Sequence, residues 1–207
     1  RFAPLKDRVP RMKSAVDALI RSLALYQTPS GGWGYYDFNV PKSQPPTGGA
    51  TLFTTANAIL ALLEAEKSGH VVPKEMLQAA SRAVERCRLP DGSFTYGVDV
   101  IPRPTPGRIT IHNTKGALAR IQVAHLALRT AGRDIPKEVV AKGLDAFFAE
   151  HVFLDAAYNR PIPHEAYYQN SGYFYLYGHA YAAGLIDTLP PDLQDRYRPL
   201  LEKEVIK

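Results

Sequence analysis

The segment "TTANAILALLEAEKSGHVVPKEMLQAASRAVERC", residues 54–87, decides the fold because a second copy of it follows. The second copy, "GALARIQVAHLALRTAGRDIPKEVVAKGLDAFFAEH" at 116–151, aligns with the first without a gap. The helix-breaking residues of the two copies match at a spacing of 63 residues, Gly69 with Gly132 and Pro73 with Pro136. Apolar residues recur at helical spacing on both sides of this link, which predicts two helices joined by a short turn.

A third copy, "YLYGHAYAAGLIDTLPPDLQDRYRPLLEKEV" at 175–205, follows at a spacing of about 54 residues. Short links between helices imply antiparallel αα-hairpins. The first helix of each hairpin is rich in small residues, whereas the second alternates charge with Ala and Leu, as a solvated outer helix does. We therefore predict an all-α fold of αα-hairpin repeats that form an α/α toroid or part of one. The predicted helices are 9–26, 51–68, 73–88, 114–131, 136–151, 171–188 and 191–206.

Length and composition indicate one ordinary domain spanning 1–207. The chain has 207 residues, of which 45% are hydrophobic, and such a length suits a single core. No apolar run is long enough for a membrane-spanning helix. The single Cys87 excludes an internal disulfide and a multi-cysteine metal site.

The positive charge does not indicate a nucleic-acid partner. The net charge is +5, and residues 1–21 alone hold six basic and two acidic residues, which is +4 of that total. A nucleic-acid binder carries basic residues interleaved with aromatic residues on its binding face. Here the aromatic residues lie in other stretches of nearly balanced charge, so we expect no nucleic-acid binding.

The connection after the first predicted helix contains "QTPSGGW", which reads Gln27-x-x-x-Gly31-x-Trp33. It resembles the QW motif of squalene–hopene cyclases, within the prenyltransferase and squalene-oxidase repeat group. A degenerate version, "RLPDGSF" at 88–94, stands before the second long connection. The resemblance implies an α/α toroid in which Gln27, Gly31 and Trp33 are structural and join an outer helix to the next inner one. A full toroid of that family has six hairpins and about three and a half are present, so we expect a part of a longer chain or completion by association.

The catalytic motifs of that family are missing from the sequence. Its cyclases protonate an alkene with a D-x-D-D motif, and "GVDV" at 97–100 offers Asp99 alone. Its prenyltransferases hold zinc through Asp, Cys and His, and Cys87 has no D-x-C spacing. We therefore identify no catalytic residues and expect no cofactor and no metal site.

Three long connections, 27–50, 89–113 and 152–170, carry unusual numbers of aromatic residues. Loops of such length in a compact domain are commonly functional. Because each first helix begins after one of them, the helix starts should meet at one end and form an aromatic-lined concavity. The predicted wall residues are Tyr35, Tyr36, Phe38, Tyr96, His112, His164, Tyr168, Tyr175 and His179.

Two interpretations of Tyr175 and His179 stay open. The pair lies at i, i+4 and shares a helical face, and with Asn170 it is typical of a proton-abstracting site such as that of α/α-barrel polysaccharide lyases. The same residues also suit a packed core position.

His151, at a helix end, is expected to meet solvent or helix carbonyls, and Asn113 is expected to cap a helix.

Three functions follow from these observations and stay open. The first is a toroid repeat domain that binds an apolar or sugar-like small molecule, or a partner protein, in the aromatic concavity. The second is an isoprenoid-processing enzyme, which the resemblance implies. The third is a carbohydrate lyase or hydrolase on an α/α scaffold, although a hydrolase needs two facing carboxylates and no such pair stands out.

Overall fold

The computed structural model describes residues 9–35, 49–99, 110–160 and 167–206. These ranges are mainly helical, which confirms the all-α class. No helix within them is long and apolar enough to cross a membrane. The elements are α1 Val9–Tyr26, β1 Ala50–Thr51, α2 Leu52–Lys67, α3 Lys74–Arg86, β2 Gly97–Val98, a 3₁₀ helix Thr110–His112, α4 Thr114–Thr130, α5 Lys137–Ala149, α6 Val152–Tyr158, α7 Tyr173–Ile186 and α8 Pro191–Val205.

Three antiparallel hairpins, α2–α3, α4–α5 and α7–α8, pack side by side. Their first helices form one layer, in which α4 lies between α2 and α7. Their second helices cover that layer, and α5 also contacts α8. All seven predicted helices are present with their bounds shifted by at most two residues, because their periodic patterns are long and bounded by Gly and Pro.

Small residues allow the first helices to approach closely. At Gly178 of α7, an added Cβ would lie 3.0 Å from the Cβ of Ala119 and 3.0 Å from the ring of Phe147. Twelve residues of α4 are buried, from Gly116 through Leu128. Helix α4 is therefore the centre of the hydrophobic core, and its polar side chains Arg120, Gln122 and His125 lie in the interior.

The sequence repeat corresponds to a repeated backbone turn. Gly69 and Gly132 end α2 and α4 with positive φ angles of 87° and 76°, which glycine adopts without strain. In each turn the residue after the glycine donates its N–H to the carbonyl four residues before the glycine, as in a Schellman motif. These bonds join His70 N to Ala65 O at 3.0 Å and Arg133 N to Leu128 O at 2.9 Å.

The connection after α1 fastens that helix to α3. The side-chain amide of Gln27 donates to the carbonyl oxygens of Gly31 at 2.8 Å and Met76 at 2.9 Å. The indole N–H of Trp33 donates to the carbonyl of Leu23 at 2.8 Å. Trp33 is buried, so this connection contributes both apolar contact and satisfied polar groups to the core.

The turn at 88–94 repeats the backbone of the first connection without its close packing. Gly31 and Gly92 have φ angles of 93° and 91°. A Cβ added at Gly31 would lie 2.6 Å from the carbonyl oxygen of Ala79, whereas one added at Gly92 would meet nothing within 4 Å. Between the second turn and α5 lies a cleft of about 220 Å³, which Arg88 and Gly143 help to line.

Four short elements were not predicted, namely β1, β2, the 3₁₀ helix Thr110–His112 and α6. Strands β1 and β2 pair antiparallel, with Ala50 opposite Val98 and Thr51 opposite Gly97, and two residues are too few to show alternation. Helix α6 lies within the connection predicted over 152–170, which is a correction. Its seven residues make about two turns, too short for helical periodicity to be read from sequence.

The contrast between Gly31 and Gly92 predicts unequal effects of the same substitution. Both Gly31→Ala and Gly92→Ala place an alanine at positive φ, which costs about 1–2 kcal/mol. Only Gly31→Ala also drives a Cβ against a backbone oxygen, so we expect it to lower the free energy of unfolding by at least about 2 kcal/mol more. Urea unfolding of the two variants measures this difference, and equal losses would contradict the packing of the first turn.

His125 on α4 is a core histidine. It is 1% exposed, lies edge-on to Phe94 with ring centroids 5.4 Å apart, and neither ring nitrogen has a hydrogen-bond partner within the described part of the chain. Burial, with nearby Arg88 and Arg129, lowers the pKa of His125 to about 4. The folded protein therefore favours the neutral ring more strongly than the unfolded chain does.

This shift predicts a loss of stability in mild acid. Because the folded-state pKa is depressed, the contribution of His125 is present above the unfolded pKa of about 6.5 and is lost as the pH falls towards 4, by roughly 3 kcal/mol. Chemical unfolding between pH 7 and pH 4 measures this slope. His125→Leu should flatten it, and an unchanged slope in that variant would assign the effect to other groups.

Candidate functional site

The starts of α2, α4 and α7 meet at one end of the first-helix layer. Phe53 and Phe174 are the second residues of α2 and α7, and their ring centroids lie 5.4 Å apart. One turn further along α7, the hydroxyl of Tyr177 donates to the side-chain oxygen of Asn57 at 3.2 Å. Helix α4 contributes Arg120 to this end of the layer, and the Arg120 guanidinium lies 5.8 Å from the Phe174 ring.

Aromatic rings from four segments of the chain gather at this end. The ring of Phe53 lies at the centre, with centroid distances of 6.0 Å to Tyr35, 5.8 Å to Tyr96 and 6.2 Å to Tyr177. Most pairs are tilted or edge-on, the geometry that aromatic quadrupoles favour. We call this group the tyrosine cluster, and it consists of Tyr35, Phe53, Tyr96, Tyr173, Phe174 and Tyr177.

Beneath the rings lies the positive charge of Arg120. Its side chain is 1% exposed, and its guanidinium carbon lies 5.3 Å from the ring centroid of Tyr96. One terminal N–H donates to the carbonyl of Ile111, whereas Nε has no hydrogen-bond partner in the part of the chain that the structure describes. Burial lowers the pKa of Arg120 to about 10, so the group stays charged at neutral pH. Among the residues that the structure describes, no carboxylate forms an ion pair with it.

The tyrosine hydroxyls form a hydrogen-bonded row at the solvent edge of the cluster. The hydroxyls of Tyr35 and Tyr96 lie 2.5 Å apart, and the hydroxyl of Tyr173 lies near that of Tyr35. Tyr35 and Tyr173 are 52% and 50% exposed. Burial raises the pKa of Tyr35 to about 12 and also raises the pKa of Tyr96, Tyr173 and Tyr177. At neutral pH these hydroxyls are protonated, and they can donate and accept hydrogen bonds but are not poised as bases.

His112 anchors the cluster to the start of α4. Its Nδ1 accepts the backbone N–H of Tyr96 at 3.0 Å, and burial lowers the pKa of His112. The neighbouring Asn113 accepts the N–H of Gly116 at 3.0 Å, which confirms the predicted cap of α4. The segment that carries Tyr96 is thus held at a defined position against α4.

The nine predicted wall residues fall into separate groups. Tyr35, Tyr96 and His112 come together at the tyrosine cluster. Tyr168 lies elsewhere, with its ring 4.7 Å from that of Phe153. Tyr175 and His179 belong to a second group around His151. Tyr36, Phe38 and His164 lie outside the described residues.

Sequence reasoning did not find Arg120, the residue that gives the tyrosine cluster its charge. A usable signal existed in "GALARIQVAHLAL", residues 116–128, where this arginine stands in a helix that is apolar on nearly every side. A helix with apolar residues all round is buried, and a charged residue within it is buried too. Phe53, Phe174 and Tyr177 carried no comparable signal, because aromatic residues at helical spacing are ordinary core residues.

A second polar group lies around His151, at the start of α6. The prediction that His151 meets solvent or helix carbonyls is wrong, because its side chain is 4% exposed. Its Nε2 lies 3.0 Å from Nε2 of His179, and Nδ1 of His179 lies 2.7 Å from the carbonyl oxygen of Tyr175. Burial lowers the pKa of His179. Asn170, which the lyase-like interpretation grouped with this pair, instead donates to the carbonyl of Lys115 at 2.9 Å.

The comparisons with known proteins supply no family. Neither a protein-family model nor a curated protein matches this chain.

The buried hydrogen bonds of His179 predict a core-like response to its removal. His179→Ala leaves Nε2 of His151 without its partner, so we expect the free energy of unfolding to fall by about 1–3 kcal/mol. Leu176→Ala on the same helix is the control. Because Leu176 is 68% exposed, this substitution should change the free energy of unfolding by no more than about 0.5 kcal/mol. Thermal melts of both variants beside the wild type measure this, and a neutral His179→Ala would contradict the structural role.

Proposed function

We propose that this chain is a ligand-binding domain whose tyrosine cluster holds a small molecule with an apolar body and an anionic group. The observation that carries the proposal is the buried charge of Arg120 beneath an aromatic surface, with no carboxylate paired to it among the described residues. Each half of this arrangement supports one part of the ligand's chemistry.

The buried guanidinium supports the anionic group. Removing a charge from water without a counter-charge is unfavourable, and cation–π contacts with Tyr96 and Phe174 offset that only in part. An anion near the rings would be attracted to the Arg120 guanidinium across a medium of low dielectric. Attraction between opposite charges in such a medium is several times stronger than in water. Carboxylate and phosphate both meet this requirement.

The rings and hydroxyls support the rest of the ligand. Aromatic side chains dominate the lining of small-molecule sites, with a few polar groups that fix orientation. Here the hydroxyls of Tyr35 and Tyr173 stand at the open edge, where they can bond to the oxygens of a ligand. Phe53 and Tyr177 lie further in and offer apolar surface.

The proposal includes the arrangement of the hairpins as part of an α/α toroid similar to that of squalene–hopene cyclases. The common end of α2, α4 and α7 supports it, as does the tie from Gln27 to α3. In such a ring, the tyrosine cluster would lie at the mouth of the central cavity. Repeated hairpins of this kind bury their faces only on their neighbours.

Binding is favoured over catalysis by the chemistry of the cluster. The sequence has no D-x-D-D motif for isoprenoid cyclisation. A tyrosine that abstracts a proton needs a pKa near the working pH, whereas burial raises the pKa of Tyr35 to about 12. The cluster is therefore built to hold a ligand in a defined orientation.

Isothermal titration calorimetry with three probes tests the proposal. Geranyl phosphate carries an apolar chain and an anion, geraniol carries the chain alone, and trigalacturonate carries anions on a sugar. We expect geranyl phosphate to bind at least about tenfold more tightly than geraniol, because a charge-assisted interaction contributes about 1.5–3 kcal/mol. Tighter binding of trigalacturonate would instead support the carbohydrate alternative.

Substitutions assign the binding to the cluster. Arg120→Met keeps much of the side-chain volume and should remove the preference for the phosphate. Tyr35→Phe deletes one half-exposed hydroxyl with little risk to folding, and should weaken geranyl phosphate by several-fold. Tyr167→Phe is the matched control, since Tyr167 is 64% exposed and lies outside the cluster. Equal affinities for the phosphate and the alcohol in the wild type would overturn the proposal.

A further inference from the structure

The group around His151 brings three potential metal ligands together from distant parts of the chain. His151 immediately precedes α6, Asp155 lies in the first turn of that helix, and Glu204 lies in the last turn of α8. Nδ1 of His151 is 3.2 Å from a carboxylate oxygen of Asp155 and 3.2 Å from one of Glu204. The three ligand atoms all lie within 4.8 Å of one another.

Hydrogen bonds behind the histidine assign its tautomer. The carbonyl oxygen of Tyr175 can only accept, so Nδ1 of His179 carries the proton in their 2.7 Å contact. A neutral His179 then offers a lone pair at Nε2. The proton in the 3.0 Å contact between the two Nε2 atoms must therefore come from His151. A neutral His151 that donates from Nε2 has a bare lone pair at Nδ1.

Nδ1 of His151 is a buried ring nitrogen that lies 3.2 Å from one oxygen of each carboxylate. His151 is 4% exposed, and its Nδ1 has no hydrogen-bond partner within the described ranges. A cation between this nitrogen and the two carboxylate oxygens would attract all three ligand atoms.

The distances suit a small transition-metal ion. Bonds of about 2.0–2.1 Å in a tetrahedral site place neighbouring ligand atoms about 3.3 Å apart. The two distances of 3.2 Å from Nδ1 to the carboxylates agree with such an edge. We propose that His151, Asp155 and Glu204 bind a divalent transition-metal ion of the Zn²⁺ class.

The ligand types and their surroundings support this choice of ion. One imidazole with two carboxylates suits Zn²⁺, whereas Ca²⁺ and Mg²⁺ prefer oxygen ligands alone. Metal-binding histidines donate their other ring N–H to a second group that fixes their orientation, and His151 does so towards His179. The two carboxylates balance the charge of a divalent ion. Three protein ligands leave a fourth position, and the side chain of Asp155, 35% exposed, lies towards the solvent from which water could enter.

The site uses none of the residues of the tyrosine cluster, so it can be tested separately from the proposed function. An ion here would join the start of α6 to the end of α8. These segments meet only through tertiary packing, since the hairpin partner of α8 is α7. The expectation of no metal site came from sequence motifs alone, and a ligand set divided between α6 and α8 has no such motif.

Calorimetric titration of chelator-treated full-length protein with Zn²⁺ tests the proposal. We expect one Zn²⁺ per chain, and a loss of affinity of at least about tenfold in both Asp155→Asn and Glu204→Gln. Glu202→Gln is the matched control, because Glu202 is exposed on the same helix and should leave the affinity unchanged. Titration with Co²⁺ adds a visible absorption band that should weaken in the same two variants, and circular dichroism verifies that each variant is folded.

Two outcomes would overturn the site. The first is no saturable Zn²⁺ binding by the wild type. The second is Zn²⁺ binding that survives equally in Asp155→Asn, Glu204→Gln and Glu202→Gln, which would assign the ion to another part of the chain.

Discussion

The burial of α4 is the constraint on which the rest of the structure depends. This helix lies between α2 and α7 and is covered by α5, so its polar side chains cannot reach water freely. Each finds a different internal environment. Gln122 donates to the carbonyl of Gly143 at 3.1 Å and so joins α4 to α5. His125 stays neutral against Phe94, and Arg120 keeps its charge beneath the aromatic rings.

Helix α7 supplies residues to two different polar groups because its side chains project in different directions. Phe174 and Tyr177, three residues apart, contact Phe53 at the tyrosine cluster. Tyr175 and His179, four residues apart, contact His151. Successive helical residues are rotated by about 100°, so a run of tyrosines that looks uniform in sequence faces two sites. The single aromatic wall expected from the sequence is therefore divided between them.

The two groups differ in the chemistry that burial gives them. At the tyrosine cluster, a positive charge lies under neutral hydroxyls, an arrangement that favours an anionic ligand. Around His151, two carboxylates face a ring nitrogen of a buried histidine, an arrangement that favours a cation.

The sequence by itself determined the features that depend on neighbouring residues. The helices, the hairpin turns at Gly69 and Gly132 and the cap at Asn113 were predictable, because periodicity, positive φ and capping act over a few residues. Tyr35, Tyr96 and His112 were expected to share one end for a similar reason, since the order of helices and connections sets which ends coincide.

Only the tertiary structure decided how the polar side chains are partnered. The charge of Arg120 became a candidate site because no described carboxylate pairs with it, and nothing in the local sequence specifies that. His151 and Glu204 meet because α6 and α8 pack together around α7. The pairing of β1 with β2 likewise joins connections that are distant in sequence. Such contacts arise from the packing of whole helices, so no pattern within a single segment of the chain encodes them.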